Sequence, residues 1–149
     1  MTHRSRFERE LAQLVALHLT NDFECNAPDL PGHPDLVFRD ERFVVFAHGC
    51  FWHSHACSAG QRPQPATLGD WNRSLEKTVL RDGLTLRALR VFGWEPAVVW
   101  ECDFANDPVG CVMRLKGTLE RCRARRDAFA YNACFSNLGS TGVQPTVSH

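Results

Sequence analysis

The stretch His48-Gly49-Cys50-Phe51-Trp52-His53-Ser54-His55-Ala56-Cys57 constrains this chain more than any other part of it. Cys50, His55 and Cys57 fall within eight residues of one another. Thiolate and imidazole are the ligands that zinc prefers, and three of them on one short loop can converge on a tetrahedral ion. A closed structural site needs a fourth ligand. Cys102 is the natural candidate, because it follows a strand ending Val99-Trp100-Glu101 that can finish beside the loop. A Cys3His site of this kind ties two strand ends together. The competing reading is a set of polar loop residues and an inert buried thiol. Ligand density favours the metal. Cys25, Cys111, Cys122 and Cys134 have no companions at ligand spacing and read as core or surface thiols.

The compartment bears on that choice. Met1-Thr2-His3-Arg4 begins with charge rather than an apolar run, so no signal peptide is expected, and no segment reaches membrane-spanning length. A cytoplasmic location is expected, where seven cysteines stay reduced and metal ligation competes better than disulfides. The formal net charge is zero, so any nucleic-acid surface is a local patch. The positive charge is nearly all arginine, with Lys77 and Lys116 the only lysines.

One domain fits 149 residues. It is expected over residues 5–135, with 136–149 as a flexible tail. Ser5-Arg6-Phe7-Glu8 reads as a capping box opening a helix, with Phe7, Leu11, Leu14 and Val15 at helical spacing to about His18. Pro28, Pro31, Gly32 and Pro34 interrupt regular structure. Asp35 to Phe38 predicts a strand, Arg39-Asp40-Glu41 a hairpin turn, and Arg42 to Ala47 a second strand too apolar for a sheet edge. Ser58 to Gly69 reads as loop. Trp71 to Phe92 predicts a long helix with a stripe at Leu75, Val79, Asp82, Leu86 and Leu89, capped by Gly93. Pro96 to Glu101 predicts a buried strand. Pro108 to about Arg126 predicts a last helix with Val112, Leu115, Leu119 and Cys122 on one face. The order gives an α/β fold, a small mixed sheet flanked by helices.

Several single residues carry candidate chemistry, each with a plainer alternative. His48 and His53 flank a metal site already filled, so either can shuttle a proton beside an acid, or be an ordinary histidine. Phe51 and Trp52 can cover the metal or wedge into stacked bases, and the residues do not decide between these. Asp35 opens a strand after Pro34, where a carboxylate can hold Mg²⁺ or simply face water. Asp82 sits on an apolar stripe, where a charge costs free energy unless paired, with a histidine or with an arginine. Glu8 is explained already as the capping-box acid. Arg121, Arg123, Arg125 and Arg126 read as a solvated helix face rather than a phosphate contact.

Taken together, Pro34-Asp35-Leu36-Val37-Phe38, His48 through Cys57, Arg81-Asp82, Gly93-Trp94 and Val98-Val99-Trp100-Glu101-Cys102 resemble the very short patch repair (Vsr) endonuclease family, over about Arg6 to Cys102. The resemblance implies a restriction-endonuclease-like fold with structural zinc. It implies a Mg²⁺-dependent nick in one strand of double-stranded DNA, 5′ to the thymine of a T:G mismatch, leading to short-patch repair; a monomer is expected. By the same resemblance, Asp35 and the Ala47 carbonyl would bind Mg²⁺. His53 would activate water with Asp82 orienting it, and His48 and Glu8 would support phosphate and metal waters. Cys50, His55, Cys57 and Cys102 would hold zinc, and Phe51, Trp52 and Trp71 would form the aromatic wedge. The family lacks the usual catalytic lysine of restriction enzymes, and no lysine lies between Asp35 and Trp71 here.

The chain departs from the family where the mismatch is read. The family's reading lysine and asparagine fall at Ser74 and Thr78, and Met113 is the only methionine after Met1, whereas the family carries one on an N-terminal arm. Two further readings follow. One is a Vsr-like nicking nuclease of other specificity, working with repair or restriction-modification proteins. The other is a non-catalytic zinc module that binds DNA, which would not need His53 near Asp35 and Asp82.

Overall fold

The computed structural model describes the backbone of residues 5–61 and 69–138, and the side chains of 5–61 and 72–133. The elements run α1 (Arg6–His18), β1 (Glu24–Cys25), β2 (Leu36–Phe38), β3 (Phe43–His48), α2 (Gly69–Val91), β4 (Glu95–Trp100), α3 (Glu101–Asn106) and α4 (Pro108–Leu138). The four strands form one mixed sheet in chain order, antiparallel from β1 to β3 and parallel between β3 and β4. The parallel pair is joined through α2, the crossover that parallel strands require.

The pleat sorts side chains between two cores. Leu36, Phe38, Phe43, Val45 and Val99 point to one face, where they pack with Leu11 and Val15 of α1, Phe104 of α3, and Cys111, Val112, Leu115, Leu119 and Cys122 of α4. Val37, Val44 and Phe46 point to the other face, against Leu89 of α2 and Ala27. Both faces of the sheet are covered, which is why β3 is apolar from Phe43 to Ala47.

The helix ends are set by local chemistry. The Ser5 hydroxyl accepts from the Glu8 N–H, and the Glu8 carboxylate accepts from the Ser5 N–H, so the capping box forms as the sequence predicts. At the far end of α2, Gly93 adopts φ +80, its N–H donates to the Arg90 carbonyl, and the Trp94 N–H donates to the Leu89 carbonyl. That bond pair is the Schellman closure, with Trp94 packed on the same core as Leu89.

Four expectations need correction. Glu101 does not end the fourth strand but starts α3, whose Phe104 packs against Phe7 at 5.1 Å between ring centroids. Strand β1 is an added sheet member, only two residues long, in a stretch that carries no strand pattern. On α2, Val79 is about half exposed and does not continue the buried stripe. Helix α4 runs past Arg126 and through Ser136 to Leu138, because nothing breaks it after its apolar face ends at Cys122. Residues 139–149 lie outside the described part, as do residues 62–68 of the expected loop.

The arginines of α4 have a structural task. Arg123 and Arg126 pair with the largely buried Glu41 carboxylate at 2.9 and 3.6 Å, and Arg125 reaches Glu95 at 3.1 Å. These pairs fasten the helix to the sheet at the turn between β2 and β3 and at the start of β4, rather than leaving those three side chains as a free solvated face.

Candidate active site and metal-ligating corner

The sequence places the cleft residues through the same pleat. Asp35 shares the parity of Val37, and His48 the parity of Phe46, so both project to the face that α2 covers. The Asp35 N–H donates to the Val45 carbonyl at 3.0 Å, and its carboxylate Oδ2 accepts from the Ala47 N–H at 2.7 Å. The aspartate is thereby fixed at the head of β2 beside the end of β3. From the opposite side, Asp82 stands one turn before Leu86 on the stripe whose inner members enter the core, so its carboxylate arrives beyond the last core layer.

Between these walls lies a cleft of about 610 Å³, lined by Asp35, Ala47, His48, His53, Arg81 and Asp82 together with Gly32, His33, Phe46, Thr85 and Leu86. His53 Nδ1 is hydrogen-bonded to Asp82 Oδ2, with both side chains about four-fifths buried. A carboxylate only accepts, so Nδ1 carries the proton and Nε2 is the basic nitrogen of the ring. Arg81 stands 3.8 Å from the other Asp82 oxygen, at the limit of an ion pair, so the histidine is the close partner and the arginine the loose one.

His48 stacks on His53, with ring centroids 3.8 Å apart and planes within 3°. Burial first, and then the neighbouring His53, push the His48 pKa down to about 4. His48 is therefore neutral near pH 7, and the stacked pair avoids holding two adjacent charges. Trp100, the β4 partner of His48, meets its ring edge-on and stacks on His55 at 4.1 Å, linking the cleft to the next cluster.

That cluster comprises Cys50, His55, Cys57 and Cys102, whose ligand atoms all lie within 4.8 Å of one another. It is a group able to hold a metal ion. The His55 N–H donates to the Cys50 carbonyl, and Ser54 takes a positive φ of 50, so the loop doubles back and aims its donors inward. The Cys102 N–H donates to Cys50 Sγ at 3.3 Å and the Gly60 N–H to Cys57 Sγ at 3.4 Å. The Gly60 N–H is the main reason that the Cys57 thiol is lowered to about 6, whereas burial raises Cys50 to about 12. Cys57 therefore ionises most readily in this corner. Cys25, Cys111 and Cys122 are free thiols elsewhere, and Cys134 lies outside the described side chains.

The remaining expected residues are not all brought to the cleft. Glu8 is held in its capping box and does not line the cleft. Trp52 is about 57% exposed and meets Phe51 edge-on at 5.2 Å, so an aromatic pair does stand at the surface of the loop. Trp71 falls in the first turn of α2, and its side chain is outside the described part. Sequence reasoning missed the walls formed by Gly32, His33 and Thr85. The signal was the Pro31-Gly32 turn. Gly32 has φ +75, and a Cβ there would collide with the Thr85 methyl and stand 3.2 Å from the Phe46 ring. This close approach brings the turn before Asp35 against α2. Gly32→Ala is expected to lower stability by about 1–3 kcal/mol, the scale of overpacking and positive-φ strain. Urea unfolding of the variant beside wild type checks it.

Fold and site together define a class: a small α/β domain with an acid–histidine cleft and, beside it, a Cys/His metal-ligating corner. Comparison with known proteins gives that class a family likeness. Residues 2–59 match the family model for the DNA mismatch endonuclease Vsr. The chain is 38% identical over 104 residues to the DNA mismatch endonuclease Vsr of Escherichia coli, covering 68% of this chain and 64% of that one. It is 44% identical over 84 residues to the type II nicking enzyme V.XorIIP of Xanthomonas oryzae pv. oryzae, covering 56% and 61%. It is 38% identical over 84 residues to the type II nicking enzyme V.NmeAIP of Neisseria meningitidis, covering 56% and 59%. The chain thus resembles Vsr endonucleases and Vsr-like nicking enzymes, and it spans about three fifths of the length of these relatives. No helix among the described residues is long and apolar enough to cross a membrane.

Proposed function

We propose that this protein is a Mg²⁺-dependent endonuclease that nicks one strand of double-stranded DNA, with a restriction-endonuclease-like core stapled by a structural zinc ion. The observation that carries the reading is the His53–Asp82 pair facing the cleft that Asp35 also lines. A binding module needs no such convergence, so the non-catalytic alternative loses its support.

The residues fit both ions. For zinc, bonds of about 2.3 Å to sulfur and about 2.0 Å to nitrogen make a tetrahedral S···N edge of roughly 3.5 Å. The observed separation of Cys102 Sγ from His55 Nδ1 is 3.4 Å. For Mg²⁺, Asp35 offers a hard carboxylate oxygen locked by the Ala47 N–H, beside a strand-end carbonyl; one carboxylate with phosphate and water is a usual magnesium donor set. When bound, Mg²⁺ polarises the scissile phosphate and stabilises the leaving oxygen. Asp35 and the Ala47 carbonyl would hold the ion. His53 accepts the proton of the attacking water at Nε2, while Asp82 fixes its tautomer and steadies the imidazolium. His48, neutral and buried, packs the His53 ring and supports the phosphate from beside it. Phe51 and Trp52 present an apolar edge to the stacked bases.

Mismatch repair is the family reading, supported by the likeness to the Escherichia coli enzyme. A nicking nuclease of different specificity is the second reading, and one observation favours it. At the two helix positions where the family reads the mismatch, the side chains are an exposed Ser74 and a Thr78 whose hydroxyl donates to the Ser74 carbonyl of its own helix at 3.0 Å. A panel of matched, T:G-mismatched and base-modified duplexes separates the two. Mismatch repair predicts nicking of the T:G duplex at least about tenfold over matched DNA, a difference of ~1.4 kcal/mol in transition-state binding. Equal rates on matched and T:G duplexes end the repair reading and leave the second.

A further inference from the structure

Helix α2 carries Arg73, Lys77 and Arg81 at intervals of four residues, and the next position in that row, Thr85, lines the cleft. Residues four apart share one face of a helix. All three cations are exposed, Arg81 about 71% so. Their partnering differs from that of the arginines that fasten the sheet and the last helix. Arg39, Arg123, Arg125 and Arg126 are each bound to carboxylates that belong to the fold. Arg73 and Lys77 make no ion pair among the described residues, and Arg81 has only its 3.8 Å approach to Asp82. Arg81 is also the only arginine or lysine among the described residues that line the cleft. Two carboxylates, Asp35 and Asp82, line the same cleft, so a polyanionic substrate needs a cation at its entrance.

We propose that Arg73, Lys77 and Arg81 form a track for consecutive phosphates of the cut strand, with Arg81 on the phosphate at the mouth of the cleft. This deepens the endonuclease reading and rests on it. Each step along the row advances about 6 Å, four residues at ~1.5 Å each, which is the scale of one nucleotide along a strand. The row therefore leads the backbone past the side of α2 and delivers it to Asp35 and His53. Arginine at the mouth suits a bidentate grip on non-bridging oxygens, and the grip keeps its charge at every working pH. The contacts carry position rather than sequence, so they serve whichever bases the enzyme selects.

The test is the salt dependence of DNA binding, measured by fluorescence anisotropy with the zinc-loaded protein and a labelled duplex in the absence of Mg²⁺. Arg73→Ala, Lys77→Ala and Arg81→Ala are each expected to flatten the slope of log affinity against log salt by about 0.9, and the triple variant by close to the sum. Arg87→Ala and Arg90→Ala, exposed arginines of the same helix outside the row, are expected to leave it unchanged. Replacing the phosphate at the nick position by a methylphosphonate should weaken wild type several-fold more than Arg81→Ala, since that variant has already lost the contact. A wild-type slope in the triple variant overturns the track, and so does an equal flattening by Arg87→Ala and Arg90→Ala, which would mean diffuse attraction. Wild type that binds no duplex at all refutes the endonuclease reading itself, an outcome separate from either.

Discussion

Asp35→Ala and His53→Ala are each expected to reduce nicking by about 10²–10⁴-fold, the range for losing a positioned acid or base, while leaving fold and zinc content unchanged. The expectation follows from where the two side chains stand. Both line an open cleft, and neither belongs to a core cluster. Asp35→Ala removes the carboxylate that meets the Ala47 N–H, and with it the negative charge proposed to hold Mg²⁺. His53→Ala removes the proposed base but leaves the Asp82 carboxylate partly buried beside Arg81, which still provides a counter-charge at 3.8 Å. Asp82→Asn is the finer probe. An amide can offer its NH₂ to Nδ1 and select the wrong tautomer, so a large loss of rate is expected at nearly unchanged DNA affinity. Single-turnover kinetics separates the two quantities. Retention of wild-type rate by both Asp35→Ala and His53→Ala would remove the proposed active site.

Cys57→Ser is expected to act in the opposite way, abolishing zinc content and unfolding the protein near 37 °C. Structural zinc contributes about 10–16 kcal/mol to the folding of zinc-finger peptides, as much as or more than the ~5–15 kcal/mol that holds a typical domain together. The corner here joins the loop after β3 to Cys102 at the start of α3, so losing it frees the segment that carries His53. Cys57 is the thiol of the corner lowered to about 6, chiefly by the Gly60 N–H, and its loss removes one of the four candidate donors. Metal analysis together with thermal unfolding reads the result. Cys25→Ala, which alters a thiol outside the ligand set, is expected to keep one zinc per chain. A Cys57→Ser protein that retains its zinc and melts within a few degrees of wild type contradicts the staple.

Much of this arrangement is legible in the amino-acid residues alone. Short unbroken apolar runs within Asp35 to Phe38 and Arg42 to Ala47 predict the central strands, and the parity of a strand sends Asp35 and His48 toward α2. The Cys/His corner is legible because three of its four donors are neighbours in sequence and the fourth follows closely on a strand, although it proves to stand in the first turn of α3. The His53–Asp82 pair spans 29 positions, yet it is signalled by a carboxylate on an apolar helical stripe, which demands a partner. Other features leave weaker traces. β1 is two residues long, and α3 has six residues and no side-chain cap, so neither has room for a periodic pattern. Beyond Cys122, α4 has no buried side chain through residue 133, and Arg123, Arg125 and Arg126 tie it to Glu41 and Glu95, partners 30 or more positions away. The Gly32 and Thr85 wall is a tertiary contact between a turn and a helix, and glycine alone does not name what it approaches.

The most direct test of the nuclease assignment is strand-specific nick mapping on end-labelled duplexes, with zinc-loaded wild-type protein and Mg²⁺ either supplied or withheld. The expected result is a cut in one strand that appears only with Mg²⁺ and is lost in Asp35→Ala. Folded, zinc-loaded protein that cuts no duplex of the panel with Mg²⁺ present, or that cuts equally well without it, would contradict the assignment.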